Sequence, residues 1–277
     1  MASASRKKTR RRPKVGRTGF EKLRLIGMVH LPALPGSANA TMSMDQIIKR
    51  AVSEATLLVK TGFEAVVVEN FGDAPFAAEK VPSETVAAMG IVVDHVVRAV
   101  SRPVGVNVLR NDAFAALAVA AGAGAAFIRV NVLSGVYATD QGFITGRAAE
   151  LLAYRARVAP QVKIAADIHV KHATPISQPD LALAAEETAY RAGADALIVS
   201  GAATGSPTDL DIVDKVTRAV PDRPIWIGSG VTEKTVRESL DIADAVVAGT
   251  CLKKGGRTTA ALDSRRTSAF VKAAKAR

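Results

Sequence analysis

A repeat is the feature that most narrows the fold. Eight short apolar runs recur along the chain, at 25–30, 65–70, 104–109, 126–132, 162–172, 196–200, 225–228 and 245–249. Each is followed by a segment with helical spacing, at 44–61, 84–100, 112–122, 145–158, 181–192, 209–220, 232–240 and 261–274. Ser43, Asn111 or Asp112, and Thr232 stand where N-caps belong, and Gly62 where the first helix should close. Strands alternating with helices across short links predict a parallel sheet covered by helices. Eight such units predict closure into a single (β/α)8 barrel at 20–277, after a basic flexible tail at 1–19. An open doubly wound sheet is the rival arrangement. The 277 residues suit the barrel, which typically takes ~250.

The fifth run, VKIAADIHVKH, has two faces when read as one strand. Ile164, Ala166, Ile168 and Val170 share one side; Ala165, Asp167, His169 and Lys171 share the other. A carboxylate, an imidazole and an ammonium in a row are costly to bury, so they should line a cavity. Barrel chemistry sits at the C-terminal ends of the strands. The ends of the other runs bring His30, Glu69, Asn107, Arg129, Asn131, Ser200, Ser229 and Thr250 to the same mouth. Asp167 or Glu69 is then expected to move a proton, with Lys171 and Arg129 stabilising negative charge and His30 as a further catalytic candidate. Lys171 as a Schiff-base nucleophile is a lesser alternative. Glu69 and Asp167 can also hold a divalent cation through oxygen, although no ligand spacing enforces one. Structural roles compete: Arg129 with Glu69 as an ion pair, His30 as a bonded wall residue, and the asparagines as partners for loop backbone.

Two glycine turns close the series. Gly228, Ser229 and Gly230 end the seventh run; Ala248, Gly249 and Thr250 end the eighth. In many barrels the loops at these two places hold a phosphate through backbone N–H groups. Ser229 and Thr250 can add hydroxyls, and Lys253 and Lys254 positive potential. Gly201 is the second residue of SGAATGSP (200–207), a further wall or a lid after the sixth run. A phosphorylated small molecule is the expected ligand, bound by Asn107, Asn131, Ser200, Gly201 and the two turns. The plainer alternative is that the glycines only turn the chain.

Composition bounds the setting. Cys251 is the single cysteine, which excludes an internal disulfide and suits a reducing compartment. No apolar run reaches the ~18 residues of a membrane span, and no signal peptide is evident. A cytoplasmic homo-oligomer is expected. Of the net charge of +11, eight Lys and Arg lie in residues 1–17 with no acid among them. Subtracting them leaves +3 for the body. Such a segment can touch anionic lipid or nucleic acid weakly, through charge alone.

Five longer motifs carry a resemblance: VENFGDAPF, GVNVLRNDA, FIRVNVLSGVYATDQG, VKHA and SGAATGSP. From about residue 25 to 272 the chain resembles the BtpA/SgcQ family. That resemblance implies a TIM barrel of the ribulose-phosphate-binding type. It also implies kinship with cyanobacterial factors for photosystem I biogenesis or stability, peripheral to thylakoid membranes. Two functions follow as expectations. One is an enzyme acting by acid–base chemistry on a small phosphorylated sugar or nucleotide-like compound, of isomerase, lyase or transferase type. The other is a non-catalytic assembly or stability factor with the basic segment as an anchor. A sensor of phosphorylated metabolites is a third.

Overall fold

A computed structural model of the chain describes residues 22–177, 180–201 and 208–276. The expected wall or lid at 202–207 and the basic segment at 1–17 lie outside the described residues. Eight parallel strands close on themselves: β1 (Leu25–His30), β2 (Ala65–Glu69), β3 (Val104–Asn107), β4 (Phe127–Val130), β7 (Lys163–Ile168), β9 (Ala196–Val199), β10 (Ile225–Ile227) and β11 (Ala245–Ala248). The ring runs β1-β11-β10-β9-β7-β4-β3-β2, which excludes the open sheet. Around it lie α1 (Met44–Thr61), α2 (Ser83–Ala99), α3 (Ala113–Ala123), α4 (Ala148–Val158), α5 (Leu181–Glu186), α6 (Leu210–Ala219), α7 (Val236–Ile242) and α8 (Ser264–Lys275).

Alternation along each strand makes two cores. Outward residues pack under the helices in one large cluster. Inward residues, among them Ile26, Met28, Val67, Ile198 and Val247, fill the barrel floor around Phe127 and Trp226. Those two rings meet edge to face at 5.8 Å. Each contributes on the order of 2–3 kcal/mol by leaving water. Gly105 makes room for Phe127, since a Cβ there would stand 2.4 Å from the ring. The floor is packed solid, so any chemistry must sit above it.

Local signals hold at several ends. Ser43 and Gln46 form a reciprocal cap on α1, and Gly62 closes that helix at φ 115°. Asp112 caps α3 by accepting from the Ala115 N–H. The seventh helix departs: it begins after Thr235, whose hydroxyl accepts from the Thr232 N–H, so Thr232 is not its cap.

Two segments differ more. The loop expected after the fourth run folds into a hairpin, β5 (Val136–Thr139) with β6 (Gly142–Thr145), and β5 also pairs with β8 (Ala173–Pro175). This small antiparallel sheet buries Tyr137 and Ile144 against Val132 and Val170. The fifth run, in turn, is not one strand. It ends at Ile168, and His169 (φ 45°) and His172 (φ 56°) swing the chain toward β8. His169 therefore leaves the inward face. Its ring lies edge-on to Tyr137 at 6.4 Å, beside a lateral cavity shared with α5 and α6. Among the described residues no helix is long and apolar enough to cross a membrane.

Candidate functional site

The mouth is built around a clamp. Arg129 of β4 and Asp167 of β7 face inward on adjacent strands, one pleat apart in register. The guanidinium donates twice, Nε to Oδ2 at 2.9 Å and Nη2 to Oδ1 at 2.9 Å. Asn131 Nδ2 adds a bond to Oδ2 at 3.0 Å, and Ser200 Oγ one to Oδ1 at 3.1 Å. Asn107 supports the frame by donating to the Arg129 carbonyl at 3.1 Å and to Asn131 Oδ1 at 3.2 Å. An ionised carboxylate offers about four acceptor sites, and all four of Asp167 are taken. That corrects two expectations. Asp167 has no lone pair left to take a proton from a ligand, and none left to share a divalent cation with Glu69. It holds Arg129 rigid instead. Arg129 consequently pairs with Asp167, not with Glu69.

Beside the clamp stand three groups whose proton affinity is displaced, His30, Glu69 and Lys171. His30 of β1, Glu69 of β2 and Asn107 of β3 lie level with one another across the ladder. His30 Nε2 is 3.7 Å from Glu69 Oε1, too far for a hydrogen bond. Burial holds His30 well below its usual pKa, and the charges of Lys253, Lys171 and Arg129 lower it further. At neutral pH it is an uncharged imidazole, so the pair is not an ion pair. Its Nδ1 is buried without a partner among the described residues. Burial raises Glu69, Asp167 adds to the rise, and Arg129 and Lys171 pull it back. Burial lowers Lys171, as does Arg129, against the pull of Glu69 and Asp167. Glu69 is thus easier to protonate and Lys171 easier to deprotonate than either would be in water.

The glycine turns stand across from these groups. The inward positions at the ends of β10 and β11 are Gly228 and Gly249, not Ser229 and Thr250 as the sequence suggested. A Cβ on Gly228 would lie 2.4 Å from Ile198 and 2.6 Å from Ser200 Oγ; one on Gly249 would lie 2.7 Å from His30 Cε1. Their missing side chains open a cavity of about 190 Å³, walled by His30, Arg129, Lys171 and the two turns. Gly230 takes φ 72°, a conformation that favours glycine. Ser229 Oγ accepts from the Gly201 N–H at 3.1 Å, tying two loops together, and Thr250 Oγ1 lies 2.9 Å from Thr258 Oγ1. Lys253 is fully buried and bonded to Glu54 at 2.6 Å. It fastens the loop after β11 to α1 and does not line the cavity. Cys251 lies in the wall, but burial pushes its thiol up to about 11, which leaves it protonated.

One residue was absent from the expected set. Arg110, in the loop after β3, is 5 % exposed and donates through Nη2 to the Lys171 carbonyl at 2.7 Å. It lies beyond the strand, so alternation gave no hint of it; its place in GVNVLRNDA was the only signal. Three further polar residues of that motif and of VENFGDAPF, namely Asn70, Asp73 and Asn111, are loop staples. Asn70 accepts from the Leu109 N–H, Asp73 from the Leu34 N–H and Asn111 from the Val132 N–H. Among the described residues no group of three or more His, Cys, Asp or Glu is placed to hold a metal ion.

The architecture recurs in solved enzymes. It matches phosphoribosyl anthranilate isomerase from Thermus thermophilus with a TM-score of 0.55 at 11 % identity, over 91 % of this chain and 98 % of that one. It matches tryptophan synthase from M. tuberculosis at 0.58 and 16 % identity, over 92 % and 94 %. Identities this low speak to fold alone. Sequence relatives are much nearer. The photosystem I biogenesis protein BtpA of Synechocystis is 46 % identical over 90 % of this chain and 87 % of its own length. An uncharacterized protein of Pyrococcus horikoshii is 42 % identical over 92 % and 97 %, and an uncharacterized mitochondrial protein of Caenorhabditis elegans 34 % over 90 % and 91 %. The BtpA family model spans residues 21–276, and with these identities it places the chain in the BtpA family.

Proposed function

We propose that the mouth of this barrel is an enzyme active site for a small phosphorylated compound, working by proton transfer. One observation carries this: Lys171 and His30 line a cavity closed on its far side by bare glycine backbone, and Glu69, displaced by burial in the opposite direction to Lys171, stands next to His30. Groups whose surroundings push their proton affinities toward each other are suited to acid–base work near neutral pH. In this scheme Glu69 removes or returns a proton. Lys171 and Arg129 stabilise the negative charge that develops. Neutral His30 offers a hydrogen bond from the side. The N–H groups of Gly230 and Thr250, which have no backbone acceptor among the described residues, suit a phosphate. Asp167 acts only through Arg129, as a positioning residue.

A second reading has its own support. The Synechocystis relative is named for photosystem I biogenesis, so the barrel can be a non-catalytic assembly factor, with residues 1–17 as a charged contact to a membrane surface. The two readings part on turnover. A panel of sugar and nucleotide phosphates is screened by thermal shift, and any compound that stabilises the protein is then followed for conversion. The enzyme reading expects Glu69→Gln to keep binding and to slow conversion by about 10²–10⁴-fold. Ligands that bind without being converted favour the assembly factor. A panel in which nothing binds removes both the substrate class and the cradle.

A further inference from the structure

The ion pairs in and around the mouth leave positive charge over. Arg129 is answered by Asp167 and Lys253 by Glu54. Arg110 and Lys171 have no carboxylate within 4.0 Å among the described residues, and Glu69 is the single other acid that faces them from the barrel wall. Asp140, on the β5–β6 turn, acts on Arg110 through space more strongly than Glu69 does, but makes no ion pair with it. Neither cation is in ion-pair contact with an acid among the described residues, and burial makes the nearby Glu69 easier to protonate.

The donors are unbalanced too. A guanidinium has five N–H donors. Among the described residues Arg110 has one acceptor for its side chain, the Lys171 carbonyl, although only 5 % of the residue is exposed. Buried charges and buried donors are costly when left unpaired. That bond ties the Arg110 guanidinium to the backbone of Lys171, and the Arg110 charge also acts on the Lys171 ammonium. Lys171 also walls the glycine-backed cavity, which makes it the link between that cavity and Arg110.

We propose that the substrate carries two anionic groups, a phosphate at the glycine turns and a second anion held by Arg110 and Lys171. This rests on the reading of the mouth as a phosphate-ester site and narrows it. A free guanidinium fork suits a carboxylate or a second phosphate, both of which accept two parallel hydrogen bonds. The substrate class is therefore a phosphorylated sugar acid or a sugar bisphosphate, not a simple monophosphate. Arg110 sets that preference, and Glu69 lies within reach of the carbon chain between the two anions.

Calorimetric titration of the full chain tests this with three probes: glycerol 3-phosphate, 3-phosphoglycerate and fructose 1,6-bisphosphate. The expected result is that at least one doubly anionic probe binds about 10-fold or more tightly than glycerol 3-phosphate. Which one does so tells a carboxylate from a second phosphate. Arg110→Gln should erase that advantage and leave glycerol 3-phosphate within about twofold. Arg110→Lys, which keeps the charge and loses the fork, should retain part of it. Gly249→Val, which pushes into His30, should weaken all three alike. Thermal melts check that each variant is folded. Equal binding of all three probes to the wild-type chain, or an advantage that survives in folded Arg110→Gln, overturns the second subsite and leaves the phosphate site standing. Failure of every probe to bind overturns the phosphate site and this inference with it.

Discussion

Replacing Arg129 by Met separates support from chemistry at the mouth. The guanidinium is 3 % exposed and its partner carboxylate is fully buried. Methionine fills much of the volume and removes both 2.9 Å bonds. Asp167 is then left with Asn131 and Ser200, two neutral donors, for a full negative charge. Removing one member of a buried pair costs about 3–5 kcal/mol, because the survivor stays buried and uncompensated. In a chain of this size each kcal/mol lowers Tm by roughly 2–4 °C, so Arg129→Met should melt about 6–20 °C below wild type. Asp167→Leu should cost a similar amount by stranding Arg129. The double variant, Arg129→Met with Asp167→Leu, should recover most of the loss, since a buried pair replaced by apolar groups is often neutral. Denaturant unfolding of the four proteins completes the cycle. Single-variant losses under about 1 kcal/mol, or losses that simply add, would refute the assignment of Asp167 as the residue that fixes Arg129.

Two more perturbations need no substrate. Glu69 has a folded-state pKa above its unfolded value, through burial. Its favourable share is therefore complete below the unfolded pKa and lost as pH rises through the raised folded one. Glu69→Gln, neutral at every pH, should match wild type in Tm near pH 4 and exceed it increasingly toward pH 7; a variant less stable than wild type at pH 7 would sink this. Lys253→Met leaves Glu54 buried against Arg50 and the Leu262 N–H alone, and should cost about 3–5 kcal/mol in chemical unfolding, where a surface lysine would cost almost nothing.

Much of this was legible because a barrel strand obeys a rule of two. Counting alternate residues from the apolar floor places His30, Glu69, Asn107, Arg129, Asn131 and Asp167 inward without any knowledge of their neighbours. The rule stops where the strand stops. Ser229 and Thr250 drew notice as polar residues, yet strict counting puts Gly228 and Gly249 inside, and the glycines make the cavity. His169 broke the pattern through a positive φ that no side-chain periodicity records. The β5–β6–β8 sheet was hidden because its strands are three or four residues long and one of them comes from a distant loop. Lys253 looked like a loop cation because its partner Glu54 lies 199 positions away. Hydrogen-bond saturation, which moved Asp167 from proton carrier to support, depends on four groups from three strands and has no trace along the chain.

The decisive measurement is a crystal structure of the full chain grown with a phosphorylated ligand from the binding screen. A phosphate lying on the backbone of 228–230 and 249–251, with Glu69 beside the adjoining carbons, is what the geometry predicts. A ligand bound elsewhere while the barrel mouth stays filled by its own side chains would contradict it.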